Sequence, residues 1–265
     1  MDFSRMDPEE IIRMIKSKSL LNGSEAESPT YKCEECHDTG WLSIESEDGI
    51  KYVAKCKCRL AREAEERMKA SGLADSLESQ TFESFMTSSM LQEKIRNIAM
   101  DYVQAVLNGS ERKPWFYIGG NPGSGKTHIC TAICGELLKK NIGVKYMQWL
   151  NESRRLKSAV NDEDFDDYVR EYIDVSVLYI DDLLKQKYMD RPNFTEADIK
   201  IAFTILNARY LMNKPTIISS EWNLVDQLLD ADEGVFSRVY ERCKGFTVNI
   251  ERRRENNFRL TGGVA

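Results

Sequence analysis

Eight consecutive residues, Gly120-Asn121-Pro122-Gly123-Ser124-Gly125-Lys126-Thr127, match the spacing G-x-x-x-x-G-K-[ST] in full and constrain the fold more than any other feature of the chain. Ahead of them, Trp115-Phe116-Tyr117-Ile118 is a short apolar run that reads as a buried strand. Behind them, from His128 to Lys140, apolar residues fall at Ile129, Ala132, Ile133, Leu137 and Leu138, the spacing of one helix face. Strand, glycine loop and helix in this order aim backbone N–H groups and a positive helix end at a polyphosphate. Gly120, Gly123 and Gly125 permit close backbone approach that a side chain blocks. Lys126 is expected to reach the β- and γ-phosphates and the Thr127 hydroxyl to ligate Mg²⁺. With Asn121, Pro122, Ser124 and His128, these residues form the candidate nucleotide-binding set. The expected ligand is a nucleoside triphosphate.

Downstream the pattern alternates between strand and helix. Val144 to Trp149, Val175 to Ile180, Thr216 to Ser219 and Phe246 to Ile250 read as strands. Between them, Asn151 to Val160, Asp164 to Ile173 and Thr195 to Met212 read as helices, and Leu91 to Leu107 is a helix ahead of the glycine loop. Together with the strand before the loop, this predicts an α/β domain with a five-stranded parallel sheet and helices on both faces. Ligands of such sheets bind at the carboxyl ends of the strands.

Three sets of residues fall at those ends. Leu178-Tyr179-Ile180-Asp181-Asp182 is an apolar strand ending in acids, expected beside the strand of the glycine loop. Asp181 would hold Mg²⁺ directly or through water, and Asp182 would orient the attacking water. Ser219-Ser220-Glu221-Trp222-Asn223 follows a strand, and either senses the γ-phosphate or, at Asn223, caps a helix over Leu224 to Leu229. Arg238 and Arg242 lie four apart on one predicted helix face. Either offers a permanently charged fork to a phosphate of a neighbouring subunit, or the pair belongs to a solvated helix paired with Glu241.

The cysteines point to a second unit. Cys33-x-x-Cys36 and Cys56-x-Cys58 lie about twenty residues apart, separated by two strand-like runs, Trp41 to Ile44 and Lys51 to Ala54, around Glu47-Asp48-Gly49. Two such pairs can converge as four thiolates around a tetrahedral, structural Zn²⁺, which would supply much of the folding free energy of so small a unit. Cys130, Cys134 and Cys243 fall on helical, partly apolar segments and read as ordinary residues. Before the cysteines, residues 7 to 21 read as an amphipathic helix; after them, the charged run Leu60 to Ala70 reads as a solvated helix. The expected organisation is residues 1–59 as an N-terminal helix and zinc-binding domain, 60–80 as a helical linker and 81–265 as the nucleotide-binding domain.

With 265 residues there is ample chain for a buried core, and a formal charge of −6 argues against a protein that coats nucleic acid through bulk charge. A local basic groove stays open, with Arg154, Arg155, Lys157, Lys185 and Lys187 as candidates. No apolar run approaches the ~20 residues that span a bilayer, and no secretory signal opens the chain. The expectation is a cytoplasmic protein without a membrane partner.

Taken in order, the cysteine pairs, the glycine loop, Tyr179-Ile180-Asp181-Asp182-Leu183, Ser219-Ser220-Glu221, Ser237-Arg238-Val239-x-Glu241-Arg242 and Asn257-Phe258-Arg259 resemble the DnaC/DnaI/IstB group of AAA+ ATPases. Within that group the chain is most similar to helicase loaders of Gram-positive bacteria and their phages. The resemblance implies an AAA+ P-loop NTPase fold preceded by a small zinc-binding domain, and ATP bound between self-associating subunits. Glu221 where the family usually has Asn, and Asp182 where many ATPases have Glu, depart from it and point to weak ATPase activity. The resemblance also implies an N-terminal domain that grips a DnaB-type replicative hexameric helicase and places it on single-stranded DNA during DNA replication. It further implies Arg242, or else Arg238, as the arginine finger, Arg259 as the second sensor and Glu221 at the position of the first. An IstB-like transposition helper and, from another class, a small-molecule kinase are the alternatives.

Overall fold

The computed structural model describes residues 31–45, 49, 51–70, 74–109, 111–140, 142–186 and 194–260. The helix expected over residues 7 to 21, most of the hairpin turn at 47 to 49, and Lys187 lie outside them. The chain divides into two compact units between Glu63 and Ala64. The expected boundaries at 59 and 81 bracket that point.

In the first unit, β1 (Trp41–Glu45) pairs antiparallel with β2 (Lys51–Lys55) in a register that sets Trp41 opposite Lys55 and Glu45 opposite Lys51. Helix α1 (Lys57–Ala70) starts within the second cysteine pair. Arg59 on its first turn lies 4.2 Å from the Trp41 ring centroid and pairs with Glu63 one turn on, at 2.8 Å.

The second unit opens with the rest of α1 from Ala64, followed by α2 (Ala74–Ser79) and α3 (Met90–Leu107). Ser89 and Gln92 form a reciprocal cap at the start of α3, satisfying backbone donors that the helix itself cannot. Then follow β3 (Phe116–Gly120), α4 (Lys126–Lys139), β4 (Val144–Gln148), α5 (Trp149–Ala159), α6 (Phe165–Asp174) and β5 (Val177–Asp181). The chain closes with α7 (Glu196–Leu211), β6 (Thr216–Ser220), α8 (Glu233–Arg242) and β7 (Thr247–Ile250). The five strands β3 to β7 form one parallel sheet in the order β4-β5-β6-β3-β7.

Alternation along the strands assigns the two faces of the sheet. Phe116, Ile118, Val144, Tyr179 and Ile217 pack with residues of α3 and α4, whereas Tyr117, Met147, Leu178, Ile180 and Ile218 pack with residues of α5, α6, α7 and α8. Both faces are covered, as an all-parallel sheet requires.

The strand order corrects one expectation. The acid-bearing β5 is not beside β3, because β6 lies between them. Nearness in sequence does not set adjacency in a parallel sheet, where crossover helices let the chain skip a position. Asp181 is therefore linked to the glycine loop from the far side of β6.

Candidate active site and metal centre

The glycine loop bridges β3 and α4. Gly123 and Gly125 adopt left-handed backbone, at φ 72° and 78°. A Cβ on Gly123 would lie 2.2 Å from Asn257 Oδ1, so any side chain there collides with the segment after β7. That segment is tied to the loop by Phe258 N–H, which donates to Gly123 O at 2.9 Å; Arg259, one residue on, is exposed. α4 begins at Lys126 without a side-chain cap, which leaves its first-turn N–H groups for an anion. Lys126 is 7% exposed, and its ammonium donates to Gly120 O at 3.0 Å and Asn121 O at 2.8 Å. Burial draws it below the usual lysine range, offset by Asp182 and Glu221. Ser124 Oγ donates to Asn121 O at 2.7 Å and so braces the loop from within.

The His128 side chain points its contacts away from the glycine loop's own residues, while its backbone N–H belongs to the first turn of α4. Its Nε2 lies 3.0 Å from Thr81 O and 3.2 Å from Ser84 Oγ, and its ring meets Phe85 edge-on at 5.2 Å. Side-chain contacts therefore commit His128 to residues 81 to 85. Burial lowers the pKa of this imidazole, which favours the neutral ring.

Asp181, 6% exposed, is the most heavily bonded acid of the site. Oδ1 accepts from Ser219 Oγ at 2.5 Å, Tyr179 OH at 2.6 Å and Thr127 Oγ1 at 3.3 Å, while Oδ2 accepts from Tyr146 OH at 3.1 Å. Burial first, and the Asp181 charge second, push the Tyr146 and Tyr179 phenols up, so both remain protonated donors. The sequence reading missed this shell, although Tyr179, two residues before Asp181 on a strand, shares its face. Tyr146 follows from the register, which sets it opposite Tyr179. Thr127 and Asp181 together offer the hard oxygen donors that suit Mg²⁺.

Asp182 turns away from its neighbour, with its backbone at φ 56°. Its Oδ2 lies 2.8 Å from Lys185 Nζ, which also lies 3.1 Å from Glu221 Oε1. Lys185, a candidate for DNA contact, and Glu221, expected at the first sensor, thus meet in one ion-pair network with Asp182. Asn223, left open between sensor and cap, is a cap: its Oδ1 accepts from Val225 N–H and Asp226 N–H at the start of the π-helical turn Leu224–Leu228.

The two arginines of α8, of which Arg242 is the expected finger, differ sharply in burial. Arg242 is 8% exposed, donates to Asn213 Oδ1 and Tyr210 O at 2.7 Å each, and lies over the Tyr210 ring. Its two terminal nitrogens are thus bonded within the chain, while Nε is buried without a hydrogen-bond partner among the described residues. Its position was readable, since Val235, Val239 and Arg242 share the buried i, i+4, i+7 face. Arg238 lies off that face, half-buried, bonded to Gly234 O and 5.5 Å from the Phe203 ring. Glu241 pairs with Arg112 at 2.5 Å and accepts from Tyr210 OH at 2.6 Å, so it is not the partner of either.

Of the basic candidates, Arg155 is paired with Glu171 at 2.6 Å and Lys157 with Asp198 at 2.6 Å. Arg154 is exposed and makes no ion pair among the described residues.

In the first unit the four sulfurs of Cys33, Cys36, Cys56 and Cys58 all lie within 4.8 Å of one another. Cys33 Sγ and Cys56 Sγ are 3.7 Å apart, and Cys36 Sγ and Cys58 Sγ 3.4 Å. Zn–S bonds of about 2.3 Å in a tetrahedron give an edge of about 3.8 Å, so the cluster fits that ion. The first pair is shaped by a tight turn with His37, Asp38 and Gly40 at positive φ. Gly40 N–H donates to Cys36 Sγ at 3.3 Å, and Asp38 accepts from Cys33 N–H at 3.0 Å. Burial raises the Cys36 thiol, but Gly40 N–H and the neighbouring thiols outweigh it and bring it down to about 7. Burial instead pushes Cys56 up to about 12 and raises Cys58, so a metal bound there would displace thiol protons. Cys130, Cys134 and Cys243 are buried.

Comparison with known proteins agrees with this geometry. The profile of the IstB-like ATP binding protein family matches residues 48–257. The chain is 32% identical over 203 residues to YqaM of Bacillus subtilis (strain 168), covering 75% of this chain and 64% of that protein, just under two thirds of its length. It is 29% identical over 250 residues to the phage-like element PBSX protein XkdC of the same organism, covering 90% of each. Among solved structures, DnaI aligns with a TM-score of 0.53 at 22% identity, over 67% of this chain and 92% of that one. The DnaC helicase loader aligns with a TM-score of 0.51 at 20% identity, over 65% and 96%.

Proposed function

As a member of the IstB-like ATP-binding family, this chain is an AAA+ P-loop ATPase, and we propose that it loads a DnaB-type replicative helicase onto single-stranded DNA during DNA replication. The observation that supports this reading is the four-thiol unit ahead of the ATPase unit, since the resemblance associates a metal-stapled N-terminal domain with loaders.

In this reading Lys126 and the first N–H groups of α4 bind the β- and γ-phosphates, and the glycines let the backbone come close. Thr127 and Asp181 hold Mg²⁺, which when bound neutralises phosphate charge. The hydroxyls of Tyr146, Tyr179 and Ser219 fix the Asp181 carboxylate, so its position is set before nucleotide arrives. Asp182 orients the attacking water. Arg238 is offered to the phosphates held by a second copy of the chain, and Arg259 to those of its own site. The four cysteines hold Zn²⁺ in a closed, structural site. The unit around them grips the helicase, Arg154 belongs to the DNA path, and the protein works in the cytoplasm. ATP acts more through assembly than through fast turnover.

The test is a pull-down of a purified DnaB-type hexamer on the immobilised full chain, with and without ATP. Retention in at least one nucleotide state is expected; none in either removes the loader reading. The family match equally favours an IstB-like transposition helper. Tighter binding to duplex than to single-stranded DNA selects that alternative.

A further inference from the structure

Past the acid that ends β5, the chain turns through two non-glycine residues in left-handed backbone, Asp182 and Leu184, both at φ 56°. Such geometry persists only where its surroundings over-determine it, and it gathers at functional sites. Here the turn is pinned to the end of β6. Asp182 N–H donates to Ser219 Oγ at 2.9 Å and Leu183 N–H to Ser219 O at 2.8 Å. Ser220 Oγ donates to Leu183 O at 2.9 Å, and Trp222 Nε1–H to Leu184 O at 2.9 Å. Leu183 and Leu184 are both buried, which anchors the turn from below.

The result of this strained, anchored turn is the position of Lys185. Its ammonium lies 2.8 Å from Asp182 Oδ2 and 3.1 Å from Glu221 Oε1, bridging the carboxylates that follow β5 and β6. Burial on its own would draw the ammonium down, but Asp182 and Glu221 outweigh it and hold it above the usual lysine range. A carboxylate bonded to an ammonium at this distance has an oxygen occupied and its charge offset, and is a poorer acceptor for a water proton. Lys185 also lines a cavity of about 300 Å³ with Arg154, Lys157, Thr195 and Asp198, so an anion entering there would compete for it.

We propose that Lys185 is a brake on ATP hydrolysis: it pairs with Asp182 and Glu221 and keeps Asp182 from the attacking water until the pair opens. Lys185 is thus a positioning residue, acting through Asp182, and the proposal rests on the reading of Asp182 as the water-orienting acid.

The experiment is single-turnover hydrolysis of ATP by the full chain, with ADP affinity measured separately, for Lys185→Gln, Lys185→Arg, Asp182→Asn and the Lys185→Gln/Asp182→Asn double variant. Lys185→Gln is expected to hydrolyse ATP several-fold faster at saturation, with ADP affinity held within about two-fold, a rate effect without a binding effect. Lys185→Arg should stay at the wild-type rate, and the double variant should lose the gain. If Asp182→Asn abolishes turnover while Lys185→Gln is no faster than wild type, or shows none, the brake is overturned and Asp182 keeps its role. If Asp182→Asn turns over like wild type, the reading of Asp182 fails and the brake with it.

Discussion

Arg238 and Arg242 show how one helix turn separates a structural residue from a candidate catalytic one. Arg242 lies on the buried stripe of α8, where its guanidinium joins the backbone of Tyr210 to Asn213. Replacing it with methionine should lower unfolding free energy by about 2 kcal/mol, the cost of losing charged hydrogen bonds in a buried place. Arg238→Ala should change stability by less than about 0.5 kcal/mol, as off-core substitutions do. It should nonetheless slow ATP turnover at concentrations where the chain self-associates. Urea titrations and steady-state rates on the two variants check both claims, and unimpaired turnover by Arg238→Ala would remove it as the finger. Lys126, Thr127 and Asp181 were readable because the phosphate loop and the acid-ended strand are local signatures. The shell around Asp181 was not, because Tyr146, Tyr179 and Ser219 come from three strands and meet only in the folded register. Asp182 was readable as an acid in the right place, but not its ion pair with Lys185, which depends on left-handed backbone that an aspartate only sometimes adopts.

At the scale of elements, hydrophobic spacing located strands and helices well because the sheet is buried on both faces. Thr195, expected as the first residue of a helix, is instead the cap of α7, with its Oγ1 accepting from Asp198 N–H at 3.2 Å. The order of strands was beyond reach, since spacing carries no record of which crossover skips a position. Arg209 shows what joins the elements on the face that carries α7. Fully buried, it donates to the carbonyls of Tyr172, Ile173, Val175, Ser176 and Pro215 and to Thr216 Oγ1. It thereby caps the C-terminal end of α6 and fixes α7 to the starts of β5 and β6. Arg209→Met should cost about 3 kcal/mol or more, because several buried carbonyls lose their donor together. Arg209→Lys should recover little of it, having one point charge for a planar fork. Chemical denaturation of both variants checks this; near-wild-type stability would mean that water or a rearrangement replaces the guanidinium.

The whole molecule contains two units with separate sources of stability. The ATPase unit has a large apolar core, whereas the cysteine unit offers a two-stranded ribbon and four converging thiols. Two strands alone are marginal in water, so a metal held by the four thiols would carry most of that unit's folding free energy. Chelation, or Cys33→Ser, should therefore release zinc present at one per chain and collapse helicase retention while leaving nucleotide affinity nearly intact. Elemental analysis with nucleotide titration before and after chelation checks it, and joint loss of metal and ATP binding would contradict the independence of the two units. The most direct test of the central claim is calorimetry of ATP with Mg²⁺ on the purified full chain and on Lys126→Ala. Saturable binding of one nucleotide per chain is expected, weakened in the variant by at least about 2 kcal/mol through the lost charged contact. No heat from the wild type, or equal affinity in both, would contradict it.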